Sequence, residues 1–348
     1  MNPLNMVVIG PGLIGKQHIR LIRDRADCCL VAIVAPDHEQ NHEIARNHAV
    51  PLFTDLDECI ASCHIDGIIV SSPNEFHAEQ ATRCLRSGIP VLVEKPITTG
   101  VHEGKELAAL VELTNGKLLV GHHRAHSPLL ARAREIIEGG RIGRLVSVMG
   151  SAQFYKPASY FAAGPWRTQL GGGPILINLI HEIGNLRSLC GEITEVQAFS
   201  SSAIRGYAVE DTVAINLRFA NGALGNFMLS DAAACAKSWE QTSRENPAYP
   251  TYADEDCYVI AGTQGYLSVP TFRLKYALEG QEPSWWEPLI EDSLPVSRQD
   301  PLACQLENFV QVIRGDAEPL VSAADGLRNL EITDAIAKSA RERRSIKI

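Results

Sequence analysis

The sequence has no Cys-x-x-Cys pair, no surplus of basic residues and no apolar run near the roughly 18 residues of a membrane span. Each absence excludes a class. The nine cysteines, Cys28, Cys29, Cys59, Cys63, Cys84, Cys190, Cys235, Cys257 and Cys304, are odd in number, scattered, and mostly set in apolar patterns. They read as reduced core residues, not as a disulfide framework or a thiolate metal centre. Cys59, Cys63 and His64 stand close together, but no second ligand pair accompanies them. The formal net charge of −9 argues against nucleic acid or an anionic membrane surface as partner. The opening MNPLNMVVIGPG has no basic segment before its short apolar run, which ends in glycines, so a cytoplasmic chain is expected.

What is present is ample core material and a clear alternation. A chain of 348 residues can bury two substantial cores. Val/Ile-rich runs at 6–10, 29–35, 66–72, 89–95 and 117–123 alternate with amphipathic segments such as LIGKQHIRLIRD and EFHAEQATRCLRSG. Continuous apolar strands separated by helices predict a doubly wound parallel sheet, covered on both faces. After about residue 125 the pattern changes. A helix over 127–139 precedes longer strand candidates, RLVSVMGSAQFY, EVQAFSSSAI, DTVAINLRFA and ALGNFMLSDA, the last two flanking the hairpin signal Asn221-Gly222. DCYVIAG and GYLSVP follow, then two helical patterns. The fold class is therefore α/β, a Rossmann-type domain over 1–124 and an α+β domain with a large, mostly antiparallel open sheet over 125–348. The closing helices, about 301–342, are expected to pack back toward the first domain. The polar, turn-rich segment 237–256 is expected to loop over a pocket.

The first strand runs into Gly10-Pro-Gly12-Leu13-Ile14-Gly15 and a helix follows. In that context Gly10 makes the tight turn, Gly12 admits a pyrophosphate to the backbone and Gly15 lets helix and strand pack closely. Leu13 and Ile14 open the helix whose N-terminus would hold the anion. The cofactor expected is NAD or NADP. A carboxylate normally ends the second strand to grip the ribose; Ala35 stands there, Asp37 lies two residues later, and no arginine replaces the acid. The preference is therefore open. Ser72, Pro73, Asn74 and His77 follow the next strand, at the crevice end of the sheet, although a capped helix start explains the first three equally well. Glu94 and Lys95 end the neighbouring strand, just before Pro96. A lysine emerging from an apolar run at the crevice is a candidate for proton transfer.

Four segments, GPGLIGKQH, SSPNEFH, VEKP and GGGPILINLIH, in this order and at this spacing, resemble the Gfo/Idh/MocA family of oxidoreductases. The resemblance covers essentially the whole chain. It implies a nicotinamide-binding Rossmann domain and a C-terminal domain whose open sheet makes homodimers or homotetramers. By that resemblance Lys95 hydrogen-bonds the reacting hydroxyl or carbonyl, Glu94 contacts the nicotinamide ribose, and the Lys95-Pro96 peptide is often cis. His181 corresponds to the family's general acid/base. The family's acidic partner of that histidine aligns with Ile177 and its later aspartate with Gly184, so the acid–histidine dyad is missing. Asn178 remains, three residues before His181; Glu182 and Asn185 extend a polar stripe that reads as a pocket floor. In GHHRAH (121–126) Arg124 is the candidate nearest the nicotinamide, and the neighbouring histidines lack acidic or thiol companions for a metal. Trp166 and Arg167 resemble the family's pair over the cofactor.

The expectation is an NAD(P)-dependent dehydrogenase or reductase with a small-molecule substrate, a sugar, cyclitol, polyol or hydroxy acid. Lys95, His181 and Asn178 are its catalytic candidates. Arg124, Arg167 and Lys237 hint at an acid-bearing substrate. The alternatives are redox-assisted glycoside cleavage with tightly held NAD, as in some relatives, and a non-catalytic dinucleotide sensor.

Overall fold

The computed structural model describes residues 2–278 and 280–348. Two compact units emerge, one holding the chain through His126 together with Pro301–Leu330, the other Ser127–Asp300 with Glu331–Ile348. The chain thus changes unit three times, after His126, Asp300 and Leu330.

In the first unit β1 (Leu4–Ile9), α1 (Leu13–Arg23), β2 (Cys28–Val34), α2 (Glu39–His48), β3 (Leu52–Phe53), α3 (Leu56–Ser62), β4 (Gly67–Val70), α4 (His77–Arg86), β5 (Val91–Glu94), α5 (Val101–Thr114) and β6 (Leu118–Gly121) alternate. All six strands are parallel, in the order β3-β2-β1-β4-β5-β6. Every residue of β4, β5 and β6 is buried, as a sheet covered on both faces requires. The two-residue edge strand β3 is too short to leave a sequence pattern.

In the second unit come α6 (Pro128–Glu138), β7 (Leu145–Gln153), α7 (Ala158–Ala162), α8 (Ile180–Cys190), β8 (Ile193–Ser201), β9 (Thr212–Phe219), β10 (Leu224–Ser230), α9 (Trp239–Ser243), β11 (Tyr258–Gly262), β12 (Gly265–Val269), β13 (Arg273–Tyr276) and β14 (Ile290–Ser293). The chain closes with α10 (Pro301–Arg314), α11 (Ala323–Glu342) and β15 (Ile346–Lys347). The nine-stranded sheet runs β14-β13-β12-β11-β7-β10-β9-β8-β15, antiparallel except for β7 beside β10. Between β9 and β10 the turn spends three residues, Ala220, Asn221 and Gly222, and only Gly222 takes a positive φ (+89°). Asn221 instead closes the turn with its side chain, accepting from Ala223 N and donating to Cys190 O. Alternate residues of β9 are buried, and α8 packs its apolar face, Ile183 and Leu186, into the core with Val148, Phe227 and Tyr258. The opposite face presents Met149, Phe199, Leu224 and Met228, all exposed, with Phe199 and Met228 both level with Ala214.

In the first unit α10 covers the parallel sheet. A side chain at Gly67 would come within 2.6 Å of the Ile313 side chain, so the glycine lets α10 pack closely against that strand end.

Candidate active site

In the parallel sheet β1 and β4 are neighbours from which the order runs outward both ways, the switch point outside which such sheets bind ligands. The loops after both strands fit tightly. Gly10 has φ +80°, and a Cβ there would lie 2.6 Å from Ser72 Cα. A Cβ at Gly15 would lie 2.2 Å from Gly10 O. Ser71, unmarked in the sequence reading, donates its hydroxyl to this corner, 2.8 Å from Ile9 O and 2.9 Å from Gly10 O. Gly12 differs. It is exposed, its φ of −75° suits any residue, and a Cβ there would meet no described heavy atom within 4 Å. Gly12 is also the N-cap of α1, where no side-chain cap is made. Two glycines are demanded by the protein itself and the third leaves room for something outside it. That open cradle at a helix N-terminus fits a dinucleotide pyrophosphate. Leu13, 84% exposed, and Ile14 begin the helix there.

At the end of β2, Ala35 is buried with its N–H on Phe53 O, 3.0 Å away. Asp37 is exposed, one carboxylate oxygen 2.7 Å from His42 Nε2. After β4, Ser72 donates to Gln80 (2.6 Å), Pro73 is exposed, and Asn74 opens a single 3₁₀ turn. His77 is buried, Nδ1 2.8 Å from Pro96 O and Nε2 3.0 Å from Ser72 O.

At the end of β5 Glu94 is buried against His18 of α1, Oε1 to Nε2 2.8 Å. His18 was not singled out from the sequence, although Gly15, His18, Ile19 and Ile22 mark the buried face of α1 at helical spacing. A side chain at Gly121 on β6 would approach Glu94 Cα to 2.9 Å, so a glycine beside it makes room for the carboxylate. Lys95 follows, half-buried, its peptide to Pro96 cis. Arg124 is buried after β6. Burial holds the His123 imidazole far below its usual basicity, and Arg124 and Lys95 push the same way. Among the described residues no three His, Cys, Asp or Glu side chains gather as a metal ion would need.

The second unit brings a different set together. Each glycine of Gly171-Gly173 has its own reason: Gly171 takes φ +92°, Gly172 lies where a Cβ would strike Trp166 O at 2.6 Å, and Gly173 takes φ +82° close to Glu210. Glu210 accepts the Ile175 N–H at 2.9 Å and so anchors the start of the helical run; burial raises its pKa. That run begins as a π-helix, Ile175–Leu179, before α8 takes over. The spacing of Asn178 to His181 is therefore not that of a plain α-helix. Asn178 Oδ1 accepts from Lys156 Nζ at 2.7 Å, and His181 is buried in the first turn of α8. Lys156 is buried, 3.8 Å from Asp231 and over the ring of Tyr160 at 4.7 Å. Arg205 completes the pairing, Nε to Asp231 Oδ1 2.8 Å.

The polar stripe does not form one floor. Glu182 and Asn185 are buried and both meet the hydroxyl of Tyr258 on β11, which donates to Glu182 and accepts from Asn185 Nδ2 at 3.0 Å. Trp166 is half-exposed in a 3₁₀ turn. Arg167 stacks over Tyr160 at 4.0 Å and donates to its carbonyl oxygen at 2.5 Å. The 237–256 segment is anchored in place: Trp239 is buried and donates to Glu245 at 2.9 Å, and Ser127 donates to the other Glu245 oxygen. Lys237 pairs with Glu255, which raises its pKa.

The comparisons with known proteins show the family. Residues 4–122 match the model described as an oxidoreductase family with an NAD-binding Rossmann fold, and residues 130–268 match the C-terminal domain of the same family. The chain belongs to the Gfo/Idh/MocA oxidoreductase family. Among curated members it is 25% identical to an inositol 2-dehydrogenase of Rhizobium meliloti over 343 residues, 98% of either chain. It is 27% identical to a 1,5-anhydro-D-fructose reductase of Ensifer adhaerens over 298 residues, 82% of this chain and 81% of that one. Among solved structures, the WlbA dehydrogenase of Bordetella pertussis, determined with NADH and UDP-GlcNAcA, shares the fold. Its TM-score is 0.80 at 24% identity, covering 100% of this chain and 99% of that one. As a Gfo/Idh/MocA member the protein is an oxidoreductase that binds NAD(P) through its parallel-sheet unit. Among the described residues no helix is long and apolar enough to cross a membrane.

Proposed function

We propose that this oxidoreductase interconverts a secondary hydroxyl and the matching ketone of a cyclic polyol, a cyclitol or ring-form sugar, using NAD in preference to NADP. The observation that carries the reading is the position of Lys95, at the carboxyl end of a parallel strand and directly after a glutamate locked by a buried histidine. Full-length similarity to an inositol 2-dehydrogenase supports the substrate class.

In this reading Gly10, Gly12, Leu13, Ile14 and Gly15 receive the pyrophosphate at the N-terminus of α1. Asp37, exposed and without an arginine in its turn, accepts from the adenosine ribose and repels a 2′-phosphate. Ser72, Pro73, Asn74, Arg124, Trp166 and Arg167 are assigned to the cofactor, and Glu94 to the nicotinamide ribose. Bound NAD supplies the acceptor, or NADH the donor, of the hydride. Lys95 holds the substrate oxygen by a charge-assisted hydrogen bond and moves its proton as the C–O bond order changes. His181 and Asn178 assist that proton movement. Lys156, which binds Asn178 next to the position, Ile177, where the family's acid is missing, fixes the amide so that Nδ2 is the end left to donate. Self-association through the exposed sheet face of Met149, Phe199, Leu224 and Met228 belongs to the same reading.

The test is NADH formation from a panel of inositols, 1,5-anhydro sugars and acyclic 2-hydroxy acids, with the matching ketones assayed in reverse. Turnover with a cyclic polyol and NAD is expected. Tight NADH binding without turnover in either direction on the panel would overturn the reading.

A further inference from the structure

His77 opens α4 and is 1% exposed, too deep for its ring to be a surface ligand. Its two nitrogens reach two backbone carbonyl oxygens in different loops: Nδ1 to Pro96 O at 2.8 Å and Nε2 to Ser72 O at 3.0 Å. Pro96 immediately follows Lys95. Ser72 is the residue whose backbone closes on Gly10. We infer that His77 is a positioning residue: one imidazole ties the Pro96 carbonyl to the Ser72 carbonyl, and so sets the loop carrying Lys95 against the loop that shapes the glycine turn.

The chemistry of the contact is asymmetric. A carbonyl oxygen only accepts, and a neutral imidazole has one N–H, so the neutral ring donates to one loop at a time. An imidazolium donates to both. Around the ring, Glu94 favours the charged form and Lys95 opposes it; burial opposes it more strongly and holds the pKa below the usual value. His18 in turn holds Glu94. Glutamine offers two N–H groups on one neutral amide and does not titrate, which makes His77→Gln the conservative replacement. His77→Leu keeps bulk and removes both donors.

The inference rests on the proposed role of Lys95, so the experiment includes readouts independent of turnover. Backbone hydrogen exchange is followed by mass spectrometry in segments 71–76 and 94–99, together with NADH affinity by fluorescence and turnover on whichever polyol the wild type uses. His77→Leu is expected to raise exchange at least threefold in both segments and to lower kcat about tenfold or more, with NADH affinity within threefold. His77→Gln is expected to restore exchange and kcat to within threefold of wild type. Faster exchange in one segment only would overturn the inference, as would an affinity loss matching the kcat loss or a glutamine variant no better than leucine. If His77→Leu does not fold, the glutamine variant decides alone: unperturbed exchange in both segments supports the tie, and loosening of either contradicts it. A wild-type-like Lys95→Met variant would instead refute the role of Lys95 and leave the exchange result standing.

Discussion

His18 Nε2 stands 2.8 Å from Glu94 Oε1, with both side chains buried, so the helix behind the glycine loop and the strand that leads into Lys95 are joined by one hydrogen bond. The other ring nitrogen, Nδ1, has no hydrogen-bond partner among the described residues, so Glu94 is the partner the geometry gives this ring. Glu94→Ala would strand a buried imidazole, at a cost of about 1–3 kcal/mol. Glu94→Gln keeps a partner for either tautomer. Urea unfolding should therefore show the alanine variant clearly destabilised and the glutamine variant close to wild type. Equal losses would mean that the pair contributes nothing specific.

The glycines of the first turn separate fold from binding. At Gly15 an added methyl would strike Gly10 O at 2.2 Å, so Gly15→Ala should lower the melting temperature markedly. At Gly12 the same methyl meets only open space, so Gly12→Ala should melt like the wild type. If the cradle holds the pyrophosphate, Gly12→Ala nevertheless weakens NADH binding by about tenfold or more, since a Cβ there replaces the close backbone approach. Thermal melts and NADH fluorescence titrations on the two variants check both halves.

Cofactor choice turns on Asp37, whose exposed carboxylate is held on one side by His42. Wild type should bind NADH more tightly than NADPH in paired titrations. Asp37→Ser removes the charge that repels a 2′-phosphate and should narrow the difference by about tenfold. An unchanged ratio would place the discrimination elsewhere.

Acid stability should depend on His126. Burial alone brings its pKa from 6.5 down to about 4, and Nε2 has no hydrogen-bond partner among the described residues. The unfolded chain takes up a proton near pH 6.5 that the fold refuses until about pH 4. Stability is therefore full above pH 6.5 and is lost as the pH falls toward 4, by about 3 kcal/mol from this one group. His77 and His123 shift in the same direction. Urea midpoints at pH 7.5 and pH 5 should differ less in His126→Gln than in wild type; an equal difference would remove His126 from the account.

The parallel sheet was legible because its strands are buried on both faces and write continuous apolar runs, whereas β13 and β14 are four-residue strands of mixed polarity that leave no pattern. The glycine turn, the Glu94-Lys95 strand end and the hairpin at Gly222 all rest on local chemistry, which sequence carries. What was not legible depends on partners far along the chain. Asn178, His181, Glu182 and Asn185 read as one stripe, but Asn178 finds Lys156 while Glu182 and Asn185 find Tyr258. The π-turn before α8 adds no signal to apolar periodicity, yet it rotates Asn178 relative to His181. Lys156 did leave a trace: Lys156-Pro157 shortly after β7 repeats the pattern of Lys95-Pro96 after β5. A buried lysine at a second strand end was there to be noticed.

The most direct test of the account is turnover of Lys95→Met on the preferred polyol, with NADH affinity measured on the same preparation. A fall in kcat of about 10²–10⁴ with affinity within threefold of wild type is the predicted result, since the side chain is assigned to the substrate oxygen and not to the dinucleotide. Turnover that survives the substitution would contradict it.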